Sequence, residues 1–228
     1  MNLNIYQFCY NESELIEFIH EQWIKNFPNG RFILLDNNSN DESIILAAKL
    51  RYKGINNYIT DGFSDEEHMS ISNKLPYSPK NWCSITDMDE VPQITQEELE
   101  KEDIEGTTII RFEGWNVFNR HDSGAIIGTR MPRYDKFIMF NHDKVKMNFG
   151  AGRHECYPQG EVKYSKKVYK LFHYGMWSEE YYINRRKMYN ERWSEKNLQM
   201  GWGQESRLNE EELRNNYRKL KEKAIKIC

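Results

Sequence analysis

The chain has 228 residues, of which 39% are hydrophobic and 14% aromatic, and its formal net charge is −3. This length fits one large α/β domain, or one domain with an appended tail, and no apolar run reaches the roughly 18 residues that a membrane helix needs. The slightly acidic balance argues against a surface that coats nucleic acid. The first residues lack the pattern of a signal peptide, and the four cysteines form no C-x-x-C pair. We therefore expect a cytoplasmic protein with reduced thiols and no nucleic-acid partner.

The N-terminal part alternates between predicted strands and helices. Residues 3–10 form the first predicted strand, and Asn11 with Glu14 has the capping-box spacing that begins a helix. That helix ends at the turn residues 28–30, and residues 31–35 follow as a second strand. A second helix over residues 42–52 is expected to stop at Gly54, before a short strand over residues 57–59. A further helix containing residues 70–75 leads to a strand over residues 82–86. This order predicts a parallel sheet with right-handed crossovers.

The pattern changes after residue 90. Residues 93–103 are predicted as a helix or surface loop, whereas residues 107–112, 136–140 and 168–172 read as strands. The remainder is predicted to be helical. In the final helix Asn209 is the expected N-cap with Glu212 as its capping-box partner, followed by an apolar stripe of Leu213, Tyr217, Leu220, Ala224 and Ile227. The predicted fold class is α/β, with a mixed, mainly parallel sheet flanked by helices and a C-terminal helical extension.

Polar clusters follow three of the predicted strands. These clusters are Asn11-Glu12, Asp36-Asn37-Asn38-Ser39 and Asp87-Met88-Asp89-Glu90. In an open parallel sheet the ends of such strands lie at one edge, where ligands bind. Carboxylate oxygens suit Mg²⁺ or Mn²⁺, which usually bind through one or two carboxylates and substrate phosphates. Each cluster alone is compatible with a cap or a turn, but together they predict a site for a metal-held nucleotide.

The same three clusters resemble the N-E, D-N-x-S and D-x-D-E motifs of GT-A glycosyltransferases, in that order, and within them the family 2-like group. The chain is also similar to glycosyltransferase domains encoded by large DNA viruses. The resemblance covers residues 3–177. It implies a Rossmann-like GT-A domain over residues 1–177, with a nucleotide-binding half (1–92) and an acceptor-side half (93–177). Residues 178–228 would be a helical extension packed on that domain.

The resemblance further implies a function. The chain would transfer a hexosyl or deoxyhexosyl group from a nucleoside-diphosphate sugar, with UDP the first candidate, to a hydroxyl of a glycan or glycoconjugate. It would use Mn²⁺ or Mg²⁺, in the cytoplasm of the cell or, for a viral protein, of the host. The implied site residues are Asp36 at the base, Asn11, Glu12 and Asn38 beside the nucleotide, Asp89 as the main metal ligand, Asp87 on the ribose or metal, and His173 completing the metal shell.

The segment from Asn148 to Cys156 contains two glycines followed by His154 and Glu155. Glycines allow the backbone to come close to a ligand. An inverting transferase needs a general base, usually a carboxylate, to take the acceptor proton. We expect Glu155 first in this role, then His154, then Asp122. The alternative is a glycine-rich turn followed by a salt-bridged glutamate.

Two other functions compete with this hypothesis. Asp87-Met88-Asp89-Glu90-Val91 matches the D-x-D-x-[TV] motif of haloacid-dehalogenase-type phosphohydrolases, with Asp87 as nucleophile and Asp89 as acid/base. In that class, however, the motif normally follows the first strand. A non-catalytic module that binds a nucleotide sugar or glycan is the other alternative, because a fold does not determine a function. Possible partners for a phosphate group are Arg130, Arg133 and Lys136.

Overall fold

The computed structural model describes residues 3–58, 60, 62–75, 82–119, 124–202 and 207–228. Its N-terminal part alternates strands and helices as predicted. The elements in chain order are β1 (Leu3–Cys9), α1 (Ile16–Asn26), β2 (Arg31–Asp36), α2 (Ser43–Lys49), β3 (Gly54–Asn57), α3 (Asp65–Lys74) and β4 (Trp82–Asp87). The four strands lie in the order β3-β2-β1-β4 and are all parallel. Every residue of β1 is buried, as expected for a parallel strand covered on both faces.

Three local predictions in this part were wrong. Asn11 does not cap α1, because it lies in the left-handed region (φ 50°) and its side chain donates to Asn40 instead. The helix begins at Ile16 without a side-chain cap. Gly54 does not end α2 but begins β3, and the left-handed residue after the helix is Arg51 (φ 60°). The third strand therefore lies three residues earlier than predicted, and Ile59 is outside the described residues.

The C-terminal half adds mainly antiparallel strands to the same sheet. Its elements are β5 (Glu90–Gln93), α4 (Gln96–Ile104), β6 (Ile109–Val117), β7 (Ile127–Arg130), β8 (Met139–Asn141), β9 (Val145–Lys146), β10 (Gln159–Gly160) and β11 (Tyr164–His173). β8 pairs antiparallel with β4 and β6, whereas β11 runs parallel to β6 and antiparallel to β5. β9 and β10 form a separate two-stranded sheet. The predicted mixed α/β class is confirmed, and the arrangement is consistent with a Rossmann-like GT-A fold.

The last part of the chain contains α5 (Glu179–Asn190), α6 (Glu195–Gln199), α7 (Glu210–Glu222) and the short strand β12 (Ile225–Lys226). The predicted capping box of α7 is confirmed, with Asn209 and Glu212 each accepting the other's backbone N–H. Leu213 and Tyr217 are buried against Phe118 and neighbouring side chains. β12 extends the sheet by pairing with β7, so this segment is not purely helical. The domain boundary at residue 177 stays a prediction.

No helix among the described residues is both long and apolar enough to cross a membrane.

Candidate active site

The carboxyl ends of β1, β2 and β4 lie side by side. In the register of these strands Cys9 lies opposite Asp36, and Phe8 lies opposite Asp87. Asn11 and Glu12 follow β1 directly. The structure thus places the three predicted polar clusters at one edge of the sheet, where ligands bind in open α/β proteins.

The loop after β2 is shaped by the side chain of its first residue. Asp36 is buried, and its two oxygens accept hydrogen bonds from the backbone N–H (3.0 Å) and hydroxyl (2.6 Å) of Ser39. Asn38 is exposed and left-handed, with φ of 60°. A carboxylate can accept further bonds beyond these two. The predicted role of Asp36, hydrogen bonding to the nucleobase, stays a prediction.

A narrow slot lies beside this loop. It measures about 20 Å³ and is lined by Phe8, Tyr10 and Asn37 among others. The guanidinium of Arg192 lies over the Tyr10 ring, 3.2 Å from its centroid, and donates to the Asn37 side-chain oxygen at 2.8 Å. The slot has room for little more than a water molecule. A nucleobase would therefore fit this slot only if its lining moved apart.

Glu12 is buried and bound to the C-terminal segment. Its carboxylate accepts hydrogen bonds from the Tyr181 hydroxyl (2.6 Å) and from the Nε (3.0 Å) and Nη2 (2.8 Å) of Arg185. Burial raises the pKa of Glu12, whereas the charge of Arg185 opposes that rise. Asn11, in contrast, is at the surface, bound to Asn40. Glu12 thus holds α5 against the strand ends, and a direct contact with nucleotide stays a prediction.

Asp87 and Glu90 are held by buried cations. Asp87 accepts from Arg153 through one oxygen and from Lys136 Nζ through the other, at 3.3 Å. Burial alone would raise the Asp87 pKa, but Arg153 and Lys136 hold it well below its usual range. Glu90 is buried 2.5 Å from Lys136 Nζ, and burial raises its pKa to about 7 despite that partner. Both oxygens of Asp87 are therefore already paired with positive charge.

Among the described residues, Asp89 is paired with one cation, Arg185. Its Oδ2 accepts from Arg185 Nη1 at 2.8 Å, while Arg185 also holds Glu12. Burial would raise the Asp89 pKa, yet the positive charge of Arg185 lowers it below its ordinary value. Arg185 thus bridges two buried carboxylates that come from different strand ends.

Gly175 lies directly against this ion pair. A Cβ at this position would lie 2.7 Å from Asp89 Oδ2 and 2.8 Å from Arg185 Nη1. We expect Gly175→Ala to force the pair apart and to lower the free energy of unfolding by about 1–3 kcal/mol. Urea denaturation would measure this loss. Gly54→Ala is the matched control, because its Cβ would make only an ordinary 3.7 Å contact with Ile33. Equal stability of the two variants would contradict the expectation.

His173 ends β11 and lies beside the acidic motif. The N–H of Tyr174 donates to the backbone oxygen of Asp89 at 2.8 Å, which fixes this strand end next to the motif. The His173 ring stacks on Tyr134, with centroids 4.4 Å apart. Its Nε2 is buried without a hydrogen-bond partner among the described residues. Burial and the nearby charge of Lys136 lower the His173 pKa to about 3, so the imidazole is neutral.

The three residues predicted as general base are not all found near the acidic motif. Gly152 is left-handed (φ 61°), and a Cβ there would lie 2.7 Å from the His154 ring. His154 lies near the acidic motif, and desolvation together with the charge of Lys136 lowers its pKa to about 4. Glu155 is exposed and accepts a hydrogen bond from the Tyr157 hydroxyl at 3.1 Å. Asp122 lies outside the described residues.

The site opens into a cavity of about 480 Å³, which we name the central cavity. Four of the predicted site residues line it, namely Asp87, Asp89, His154 and His173, together with Glu90 of the same motif. Asn11, Glu12, Asp36, Asn38 and Glu155 do not. Cations also line it, among them Lys136 of the segment before β8 and Arg185 of α5. The cavity therefore presents both signs of charge to a ligand.

Several lining residues were missed from the sequence. They are Phe63, Asp65, Tyr134, Arg185, Tyr189 and Trp193. The one clue in the sequence to these residues is in α5, where Arg185 lies four residues after Tyr181 and therefore on the same face of the helix. Nothing in the sequence distinguishes Arg185 from Arg186, because the partners of Arg185 are far away along the chain.

The site residues suit a divalent cation whose remaining ligands come from a bound substrate. No three His, Cys, Asp or Glu side chains of the described part of the chain are grouped closely enough to hold a metal. Within the described part of the chain both oxygens of Asp87 are paired, whereas Asp89 accepts a hydrogen bond on one oxygen. The buried His173 Nε2 has no hydrogen-bond partner there and lies 3.6 Å from Glu90 Oε1. Mg²⁺-type ions usually complete their shell with substrate phosphates. The set therefore suits an ion that arrives with a diphosphate, not one held by the protein alone.

The sequence matches no protein-family model. No curated protein matches it either. Among solved structures, residues 1–349 of S. aureus TarS give a TM-score of 0.49 at 11% identity, over 82% of this chain and 64% of that one. The same S. aureus protein in complex with UDP-GlcNAc gives 0.37 at 15% identity, over 53% and 36%. The chain thus spans less than two-thirds of these structures, and the suggested viral resemblance gains no support from them.

Proposed function

We propose that the chain is a glycosyltransferase that takes a nucleoside-diphosphate sugar, with UDP the first candidate, and transfers a hexosyl or deoxyhexosyl group to a hydroxyl of a glycan or glycoconjugate. The observation that carries this proposal is the mixed charge of the central cavity at the strand ends. Asp89 and Arg185 line it side by side, and Lys136 lines it beside Asp87. A diphosphate with its counter-ion carries both signs of charge and suits such a site.

The residues take distinct roles in this proposal. Lys136, only 2% exposed, and Arg185 neutralise the diphosphate as it leaves, because buried preorganised charges stabilise developing charge better than water does. Asp89 and His173 would hold Mn²⁺ or Mg²⁺, which supplies Lewis-acid activation of the leaving diphosphate. Glu90 holds the ammonium of Lys136 in place. Asp87 holds Lys136 and the Arg153 guanidinium at the edge of the cavity.

The geometry around Asp87 does not support a phosphohydrolase of the haloacid-dehalogenase type. A nucleophilic aspartate must present an oxygen to the phosphorus, whereas Asp87 has both oxygens engaged by Arg153 and Lys136. Asp87 also ends the fourth strand along the chain, not the first.

A nucleotide panel tests the proposal. We expect UDP, or failing that GDP or CDP, to raise the melting temperature, and to raise it further with Mn²⁺ present. A nucleotide at 100 times its Kd would add about 2.7 kcal/mol of stability. Incubation with the matching nucleotide sugars, followed by mass spectrometry, should then show release of the nucleoside diphosphate.

The other outcomes separate the alternatives. Phosphate release from p-nitrophenyl phosphate with Mg²⁺, without any nucleotide shift, would favour a phosphohydrolase. A nucleotide shift without sugar release or transfer would favour a binding module. No shift with any nucleotide would remove the basis of the proposal.

A further inference from the structure

A second cavity of about 500 Å³ adjoins the central cavity, and we name it the side cavity. Its lining consists of Asp65, Met69, Ala151, Gly152, His154, Glu155 and Trp202. Three of these residues, Asp65, Gly152 and His154, also line the central cavity. The two cavities therefore meet at this boundary, and a group bound in one can reach a group bound in the other.

The chemistry of the side cavity differs from that of the central cavity. Its described lining holds two carboxylates and neither lysine nor arginine, so it disfavours phosphate. Trp202 is half-exposed and offers an aromatic surface, and the thioether-bearing Met69 lines the same cavity. Aromatic faces with a few placed polar groups are typical of sites for small polar ligands. A neutral ring rich in hydroxyl groups, such as a sugar, fits this combination.

Asp65 is the carboxylate at the boundary. It is the first residue of α3, and its Oδ2 accepts from the side chain of the buried Asn197 at 2.9 Å. The described residues provide no hydrogen bond to its Oδ1. Burial raises the Asp65 pKa, against the opposing charge of Arg153 and the hydrogen bond of Asn197. This makes it a stronger base than an ordinary aspartate.

The other candidates at this place are weaker. His154 shares the boundary, but with a pKa of about 4 its neutral ring attracts a proton only weakly. Glu155 lines the side cavity alone and is bound by Tyr157. Gly152 has no side chain. Asp65 is thus the group that both cavities share and that is suited to accept a proton.

We propose that the side cavity seats an acceptor sugar against Trp202 and that Asp65 takes the proton of its reacting hydroxyl. This inference rests on the proposed function. The acceptor oxygen bonds to the anomeric carbon of the donor while the bond from that carbon to the diphosphate oxygen breaks. The diphosphate leaves with the electron pair, and the hydroxyl proton passes to the Asp65 carboxylate. The reaction therefore inverts the configuration of the transferred sugar.

The test uses p-nitrophenyl hexosides and N-acetylhexosaminides as acceptor probes. Trp202→Ala should raise the KM for the acceptor about tenfold or more and leave the Kd of UDP unchanged, while Trp202→Phe stays near wild type. Asp65→Asn, which keeps the contact with Asn197, should lower kcat about 100-fold or more with an unchanged acceptor KM. Glu66→Gln is the matched control, because Glu66 is exposed on the same helical turn and contacts Lys196 of the same C-terminal segment.

Two outcomes of the transfer assay would overturn the inference. One is sugar transfer by the Asp65→Asn and Trp202→Ala variants at the same rate as by wild type. The other is retention of configuration in the product, read by NMR. Saturation-transfer NMR of the probes without donor gives a separate readout, since binding that Trp202→Ala abolishes supports the sugar site even where no UDP binds. Absence of UDP binding and of transfer would instead contradict the proposed function, and a lack of probe binding would contradict the sugar site.

Discussion

Asp89→Asn is expected to lower sugar transfer by about 100-fold or more, because a metal acting as Lewis acid is worth several kcal/mol and an amide is a poor ligand for it. Among the described residues, one Asp89 oxygen accepts no hydrogen bond, and the buried Nε2 of His173 has no hydrogen-bond partner either. The variant also releases Arg185 from a charged partner. UDP should therefore bind the variant without metal at least as well as it binds wild type.

Calorimetric titration of UDP with and without Mn²⁺ separates these effects. Wild type should bind UDP more tightly with Mn²⁺, and the variant should lose that difference. Asp135→Asn is a matched control, because Asp135 pairs with Arg130 at 2.7 Å outside the central cavity. An Asp89→Asn protein that transfers sugar at the wild-type rate would contradict the role of Asp89 at the metal.

Arg185→Met should cost about 3–5 kcal/mol of unfolding free energy, because it leaves two buried carboxylates without their cation. In the part of the chain that the structure describes, Glu12 and Asp89 both form their ion pairs with this guanidinium. Replacing Glu12 by glutamine in the same protein removes one of the two stranded charges. The double variant Glu12→Gln, Arg185→Met should therefore recover part of the loss.

Urea denaturation of the single and double variants measures this coupling. Arg218→Ala is the control, since Arg218 forms an exposed ion pair with Glu179 that is worth less than about 1 kcal/mol. A loss below about 1 kcal/mol in Arg185→Met, or a double variant less stable than the single one, would show that the buried cluster does not depend on this arginine.

The parallel part of the sheet could be predicted because its signals are local. Each strand is a short apolar run that ends in a polar turn, and those runs fall where β1, β2 and β4 lie. The capping box of α7 could be predicted for the same reason, as Asn209 and Glu212 are three residues apart. The capping box predicted for α1 failed because Asn11 binds Asn40 across the edge of the sheet, and no local pattern contains that contact.

The residues of the candidate site also fall into those that the sequence reveals and those that it does not. The motif that contains Asp87 and Asp89 is visible in the sequence because its carboxylates are adjacent to one strand end. Their cations are not visible, since Arg153 is 66 positions from Asp87 and Arg185 is 96 positions from Asp89. Asp65 was missed because as the first residue of a helix it resembles many other acidic residues at helix starts. Its position between two cavities exists only in the folded chain.

The pairing of Glu12 with Arg185 also has a consequence for how the protein is made. The two residues are 173 positions apart, so the contact that closes the site joins a very early part of the chain to a late one. Such long-range contacts form late, after the entropy of a large loop has been lost. During synthesis the first strands can pair while Glu12 and Asp89 still lack their cation. A growing chain would therefore acquire its binding site only after α5 has emerged from the ribosome, and a protein shortened before α5 would lack the Arg185 that pairs with Glu12 and Asp89.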